Sequence, residues 1–345
     1  MNFDHTQEEL DLFQSLENTL GNNEEVRPGH LIALLSSSSY PTLGSNGLSS
    51  ALPGVQERLA QRRPDAYRTM EYGLRIAAPA ITRFGPKAWL AQWVSPIQQG
   101  KTLATAALDS AQGEPDLTGK PHESGYLIAG TKAGIPGADT ADIILASGTI
   151  EGIPALFLIE RDTADITITQ GATGLFTLTA SAASLPASHV AILKPKAPLA
   201  PFLQLLKNRV QINEATGHAA AVFEQAKKAA KTRPEGGKPP IARQEIGFKL
   251  ATMYTLLQTS RLMAANASSL VDAGENDAAM ASHCARVFCS DAACEIVASA
   301  LDVMGDQGFE KDGPAQRLAT IQALRVEGTS VGQTKEAIGD MLLKY

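Results

Sequence analysis

The sequence predicts an α+β multidomain protein with an N-terminal helical domain, a central antiparallel β domain and a C-terminal four-helix bundle. Two changes of hydrophobic period carry that reading. Helical spacing gives way to short, branched, alternating runs near residue 101, and helical spacing returns after Pro198 and continues to the end. The length of 345 residues points the same way, since it exceeds what one compact core usually holds. The expected divisions are 1–100, 101–196 and 197–345.

In the first part, "QEELDLFQSLENTL" brings Leu10, Phe13, Leu16 and Leu20 near one helical face, with Asp4 or Thr6 as the N-cap. The Ser-, Gly- and Pro-rich "LLSSSSYPTLGSNGLSS" predicts a long loop. Helices resume through "PGVQERLAQ", "AYRTMEYGLRIAAPAITRFG" and "KAWLAQWVSPIQQG". In the second part "KTLATAAL", "SGYLIAG", "ADIILASG", "IPALFLIE", "ADITITQ", "TGLFTLTASAASLP" and "SHVAIL" read as strands. No long helical run separates them, which disfavours a doubly wound parallel sheet. In the third part the helices are "APFLQLLKNRVQINEATGHAAAVFEQAKKAAK", a second from about 241 to 272 stopped by Gly274, a third from "ENDAAMAS" to "LDVMG", and "SVGQTKEAIGDMLLK" after a connector at 305–326. Abundant Ala keeps helix propensity high and permits close approach between helices, so these pack as an antiparallel bundle.

Composition narrows the partners. Hydrophobic residues make up 44% and charged residues 19%, and the formal net charge of −6 leaves no footprint for nucleic acid. The Lys/Arg groups at 227–233 and 194–209 are interleaved with acids and apolar residues, which suits a ligand phosphate better than a nucleic-acid groove. The opening "MNFDHTQEELDLFQSL" lacks the basic and then apolar segments of a secretory signal, and no run approaches the roughly 18 apolar residues of a membrane span. A cytoplasmic protein without stable membrane insertion is expected. Cys284, Cys289 and Cys294 lie five apart on a predicted helix and point in different directions, so buried small hydrophobes are expected there rather than a metal site. The six histidines show no ligand spacing.

The candidate for chemistry is "RVEGTSVGQTK". Glu327 sits in a Gly-containing connector; Gly328 removes bulk, and Thr329 and Ser330 are placed to cap the next helix or to offer hydroxyls and backbone N–H groups. Locally, two readings stand: an exposed acid in a capped turn, or a carboxylate held against the bundle with its proton affinity raised enough to take a proton from carbon.

The whole chain resembles the acyl-CoA dehydrogenase family. "RFGPKAWLAQWVSPIQQGK" is similar to the family's turn and helix into the β domain. "GTKAGIPGADTAD" resembles its G-x-K-x-W-I-T/S-N/G-A-x-x-A-D run, keeping Gly130, Lys132, Ile135, Ala138, Ala141 and Asp142. "TRPEGGKPPIARQEIGFKLATM" resembles R-x-x-F-G-K-P…Q-x-x-x-F-K-L-A-D-M, "VMGDQGFEKDGP" the glycine-rich link, and "VEGTSVGQ" the Y-E-G-T-S-x-I-Q motif, the most specific of the set. The resemblance implies an FAD-dependent α,β-dehydrogenation of an acyl thioester, by α-proton abstraction and β-hydride transfer to flavin, with Glu327 as the base. A second base position used by a minority of the family falls on Asn208, which cannot act as one. The resemblance assigns Arg233, Gln244, Gly305, Gly308 and Thr329 to FAD, and Arg209 and Gly328 to the thioester. The implied partners are an acyl-CoA or acyl-carrier thioester and an electron-transfer flavoprotein.

Departures from the family pattern cluster where flavin contacts are expected. T-E-P-x-A-G-S-D is replaced by the shortened "DSAQGEPDL", in which Ser110 remains, and the aromatic–Ile–Thr/Ser contact is Gly134, Ile135 and Pro136. The Phe of R-x-x-F-G is Gly236, the second glycine of the link is Asp306, and the Tyr before the base is Val326. In length and in this eroded β segment the chain resembles the shorter subunit of heteromeric family members that act on steroid side-chain thioesters. The assembly expected is a homo-oligomer or a heterotetramer with a related subunit. Beside the dehydrogenase stand two alternatives, a noncatalytic or half-site subunit and a related acyl-thioester enzyme without dehydrogenation.

Overall fold

The computed structural model describes residues 7–21, 27–35, 40–43, 49–110, 113–171, 174–232, 239–311 and 313–343. The helices are α1 (Gln7–Gly21), α2 (Pro28–Leu35), α3 (Leu52–Arg62), α4 (Pro64–Glu71), α5 (Ala78–Phe84), α6 (Lys87–Trp89), α7 (Ser95–Gln98), α8 (Leu199–Thr232), α9 (Gln244–Ala273), α10 (Ala278–Met304), α11 (Pro314–Val326) and α12 (Val331–Leu342). Two π-helical segments, Tyr72–Ala77 and Leu90–Val94, continue α4 into α5 and α6 into α7. The strands are β1 (Ala104–Ala107), β2 (Asp109–Ser110), β3 (Thr118–His122), β4 (Gly125–Ile135), β5 (Ile143–Ile150), β6 (Ile153–Glu160), β7 (Ile166–Gln170), β8 (Phe176–Pro186) and β9 (Val190–Ile192). The helical, β, helical order is the one the periodicity predicts. The chain forms two compact units, one of residues 10–42 and 65–207, the other of residues 1–9, 43–64 and 208–345.

In the first unit the strands run in the order β7-β8-β4-β3-β5-β6-β9, with β1 on β5 and β2 on β4. The sheet is mixed: β1 and β3 each pair with β5 in parallel, and the remaining pairs are antiparallel. The core is a cluster around Phe157, Leu178, Ile128 and Leu117. β3, "TGKPH", carries no alternation and was not expected. It is held by pairing with β4, and its Gly119 admits the Phe157 ring, whose nearest atom would lie 3.2 Å from an added Cβ. Among the helices of this unit, Tyr40 is buried and donates its hydroxyl to Glu71, while Arg75 donates to the Pro41 carbonyl at 3.1 Å. Burial pushes the Tyr40 phenol well above its ordinary value.

In the second unit α8 supplies the central helix. Its contacts set the helix directions. Arg209 reaches Asp272 at 2.5 Å, so α8 and α9 are antiparallel; Asn208 reaches Ser282 and Gln211 reaches Arg286, so α8 and α10 are parallel. Arg325 pairs with Asp291 and Gln322 with Cys294, which makes α11 antiparallel to α10. Small residues permit this packing. Ala215, Ala219, Ala226, Ala293 and Ala300 all lie in the main core. Gly274 ends α9 at φ +67, as expected, with its N–H on the Val271 carbonyl. The region 305–326, read from sequence as a connector, holds α11. Pro314 starts this helix where a missing N–H costs nothing, and Ile321 and Leu324 bury its inner face.

Asn208 donates to Ser282 Oγ at 3.1 Å and lies 3.3 Å from His283 Nδ1. Burial lowers the His283 pKa, which keeps the ring neutral in the folded chain. The unfolded chain takes up that proton as pH falls below about 6.5, so stability is present above that pH and is lost below it. Replacing His283 with Gln should flatten this acid-side loss, read from urea midpoints between pH 5 and 7. A second pair of variants tests the packing. A Cβ at Gly217 would lie 2.6 Å from both Ala60 Cβ and the Glu57 carbonyl, so Gly217→Val should cost roughly 1–3 kcal/mol. Nothing lies within 4 Å of a Cβ at Gly247, so Gly247→Ala should stabilise by up to about 1 kcal/mol, both read as urea midpoints at unchanged slope.

Candidate functional site at the α11–α12 turn

α11 ends at Val326, and Glu327 leaves the helix at φ −72, ψ 128 with its N–H still bonded to the Ala323 carbonyl at 3.0 Å. Gly328 turns the chain at φ +60, a conformation glycine adopts without a Cβ penalty. Ser330 then caps α12 reciprocally: its Oγ accepts from the Gln333 N–H at 3.2 Å, and its own N–H donates to Gln333 Oε1 at 2.9 Å. Glu327 is therefore held between two secured helix ends. The residue is buried, at 9% exposure, whereas Gly328 is exposed and Thr329 half-buried. An exposed acid in a capped turn is not what the fold builds.

The turn rests on α10. Arg286, fully buried, donates to Gln211 Oε1 at 3.0 Å, to Ser290 Oγ at 2.5 Å and to the Leu324 carbonyl. Arg325 binds Asp291, and Lys335 of α12 lies 3.5 Å from the same carboxylate. No sequence motif marks Arg286; the available signal is an arginine within an Ala-rich helical run. Of the residues assigned to the thioester, Arg209 is buried, with one guanidinium nitrogen on the Ser268 carbonyl at 3.2 Å and on Asp272 at 2.5 Å. Its Nε has no hydrogen-bond partner among the described residues.

The residues assigned to a cofactor separate into groups. Arg233 lies outside the described residues, as does Gly236. Gln244 is the exposed first residue of α9. Gly305 follows α10 at φ 59, ψ −135, which the backbone itself requires to be glycine. Gly308 is buried, and a Cβ there would lie 2.7 Å from Leu301 Cδ2. In the sheet unit the retained motif residues have structural partners. Lys132 is buried and reaches Asp116 at 2.6 Å and the Leu108 carbonyl at 3.2 Å; Asp142 accepts from the Leu103 N–H at 2.8 Å; Ile135, Ala138 and Ala141 join the core. A Cβ at Gly130, φ +128, would lie 2.3 Å from the Asp116 carbonyl. By contrast Gly134 turns at φ +67 with no ring, and Pro136 offers only a carbonyl, taken by Thr105 Oγ1 at 2.7 Å.

The cysteines behave as packing residues. Cys289 is buried, its thiol pushed up to about 12 by burial, and Cys284 and Cys294 are half-buried. Among the described residues no His, Cys, Asp or Glu group could hold a metal, and no helix is long and apolar enough to cross a membrane.

A family model described as the C-terminal domain of acyl-CoA dehydrogenase matches residues 203–334, the stretch that contains α9, α10, α11 and the Glu327 turn. The mitochondrial short-chain specific acyl-CoA dehydrogenase of Bos taurus is 30% identical over 290 residues, covering 77% of this chain and 69% of that protein. In fold, a chain of the ChsE4-ChsE5 complex from Mycobacterium tuberculosis superposes with a TM-score of 0.85 at 19% identity over 100% of both chains. Butyryl-CoA dehydrogenase from Megasphaera elsdenii does so with a TM-score of 0.88 at 18% identity, over 99% of this chain and 100% of that one. With sequence likeness across most of its length and a buried carboxylate in the matched turn, this chain belongs to the acyl-CoA dehydrogenase family.

Proposed function

We propose that this chain is a half-site subunit of a heteromeric acyl-CoA dehydrogenase: it contributes Glu327 to α,β-dehydrogenation of an acyl thioester, and a related partner chain completes the FAD site. The observation that carries this reading is a contrast within one chain. Glu327 is buried in a turn secured at both ends, while the sheet turn at Gly134–Pro136 has neither ring nor side-chain hydroxyl.

The FAD assignment fits this chain in part. Gln244 and Thr329, with Arg233, are the side chains we assign to the cofactor. Gly305 and Gly308 are required by the backbone and by Leu301 whether or not a cofactor binds. Bound FAD supplies the two-electron acceptor. Glu327 takes the α-proton of the thioester, a role that needs a carboxylate shielded from water and aimed by rigid backbone. Its own N–H is committed to Ala323, so Gly328 N–H is the donor we assign to the thioester oxygen as negative charge develops there. The remaining Nε donor of Arg209 is assigned to the acyl thioester. The outer face of α9 exposes Phe248 at 63% and Leu262 at 47%, and we assign it to the related partner subunit. A fold shared with a chain of the two-component ChsE4-ChsE5 complex supports that assembly.

Purifying the native assembly through a tag on this chain, and quantifying released flavin and copurifying polypeptides, tests the reading. The expected result is a second family chain and about one FAD per pair, with little flavin on this chain alone. In that assembly Glu327→Gln should retain flavin and lose turnover by about 10²–10⁴-fold. A single-chain species with one FAD per chain and full turnover would count against the half-site reading.

A further inference from the structure

We propose that Arg286 is a positioning residue for Glu327: buried where α8, α10 and α11 meet, it fixes the last turn of α11 and so the direction in which the Glu327 side chain departs. The inference rests on the reading of Glu327 as the proton-abstracting group. It starts from a cation where an apolar side chain would do. Arg286 has 0% exposure, and taking a guanidinium out of water is strongly unfavourable unless its donors are met. They are met on three elements: Gln211 of α8 at 3.0 Å, Ser290 of its own helix at 2.5 Å, and the Leu324 carbonyl of α11.

The Leu324 carbonyl is one of the last four of α11, which have no acceptor role inside the helix. The Glu327 N–H bonds Ala323 in that same turn, so the bond from Arg286 and the departure of Glu327 share one rigid segment. Gln211 adds an independent observation. Its Oε1 serves Arg286, while its Nε2 is buried without a hydrogen-bond partner among the described residues. An unmet buried donor is destabilising, so this arrangement favours Arg286 geometry over local stability. Arg286 also brings positive charge to a helix C-terminus, where the helix dipole disfavours a carboxylate. The other charged or titratable groups on the surrounding elements include His283, Cys289 and Asp291 of α10, Arg317 and Arg325 of α11, Lys335 of α12, and Lys207, Arg209, Glu214 and His218 of α8, where His218 lies 3.8 Å from Glu214 and 3.0 Å from Arg317. Burial keeps His283 neutral, Asp291 faces both Arg325 and Lys335, and Arg209 faces Asp272.

The test is infrared pH titration of the full-length assembly, with the Glu327 carboxyl band identified as the one lost in Glu327→Gln. Arg286→Gln should move its midpoint up by about one pH unit, and Arg286→Lys should restore it toward the parent. Gln211→Glu, nearly isosteric and able to neutralise Arg286 in place, should move it in the same direction and serves as the deciding variant where Arg286→Gln does not fold. Turnover by Arg286→Gln should fall about tenfold in kcat with KM little changed. A midpoint unmoved in Arg286→Gln, or in Gln211→Glu where that variant decides, would overturn the proposal. Turnover that survives Glu327→Gln would instead refute the base assignment, while the band shift would still report the hold of Arg286 on that turn.

Discussion

A run of polar residues inside α8 registers the whole bundle unit. Asn208, Arg209, Gln211, Asn213 and His218 are all buried, and each reaches a different neighbour: Ser282 on α10, Asp272 on α9, Arg286 on α10, Gln56 on α3, and Arg317 on α11. Apolar, Ala-rich faces slide past one another at little cost, but a buried amide or guanidinium displaced from its partner loses its full hydrogen-bond compensation. The polar run therefore selects one register among many that the alanines would accept. A second link, the two-point contact of Arg261 with Glu57 at 2.6–3.2 Å, ties α9 to α3 in the same register.

That constraint extends to the turn that carries Glu327. The α11–α12 turn depends on α10 through Arg286 and Asp291, and on its own capping box, none of which involves the sheet. In the sheet, the motif residues that persist are those that hold strands together: Gly130 for backbone approach, Lys132 for its ion pair, Ile135, Ala138 and Ala141 for packing, and Asp142 for the Leu103 amide. Those replaced, at Gly134 and Pro136, keep backbone roles, the first in turning the chain and the second in accepting from Thr105, but offer no side chain to a ligand. Folding retains the first set regardless of chemistry; only a bound ligand would retain the second.

Much of the fold was legible because periodicity reports burial directly. The long helices and the strands β1 and β4 to β9 follow from spacing, and Gly274 and Ser330 mark helix ends with residues whose geometry demands them. β3 was hidden by Gly119 and Pro121, which weaken strand propensity and are tolerated because β4 supplies the pairing. α11 was hidden behind glycine-rich sequence, and its inner face rests on only Ile321 and Leu324 among fully buried apolar residues.

By itself the sequence determined the order of helical and β segments, the family, and the turn that carries Glu327, Gly328 and Thr329, because these depend on neighbours along the chain. Only the tertiary structure decided that Glu327 is buried and that Arg286 and Gln211 stand behind its turn. Those facts depend on residues 41 and 116 positions before Glu327, brought together by helix packing. A linear pattern records which groups are present; their accessibility and their hydrogen-bond partners are set by the faces that meet.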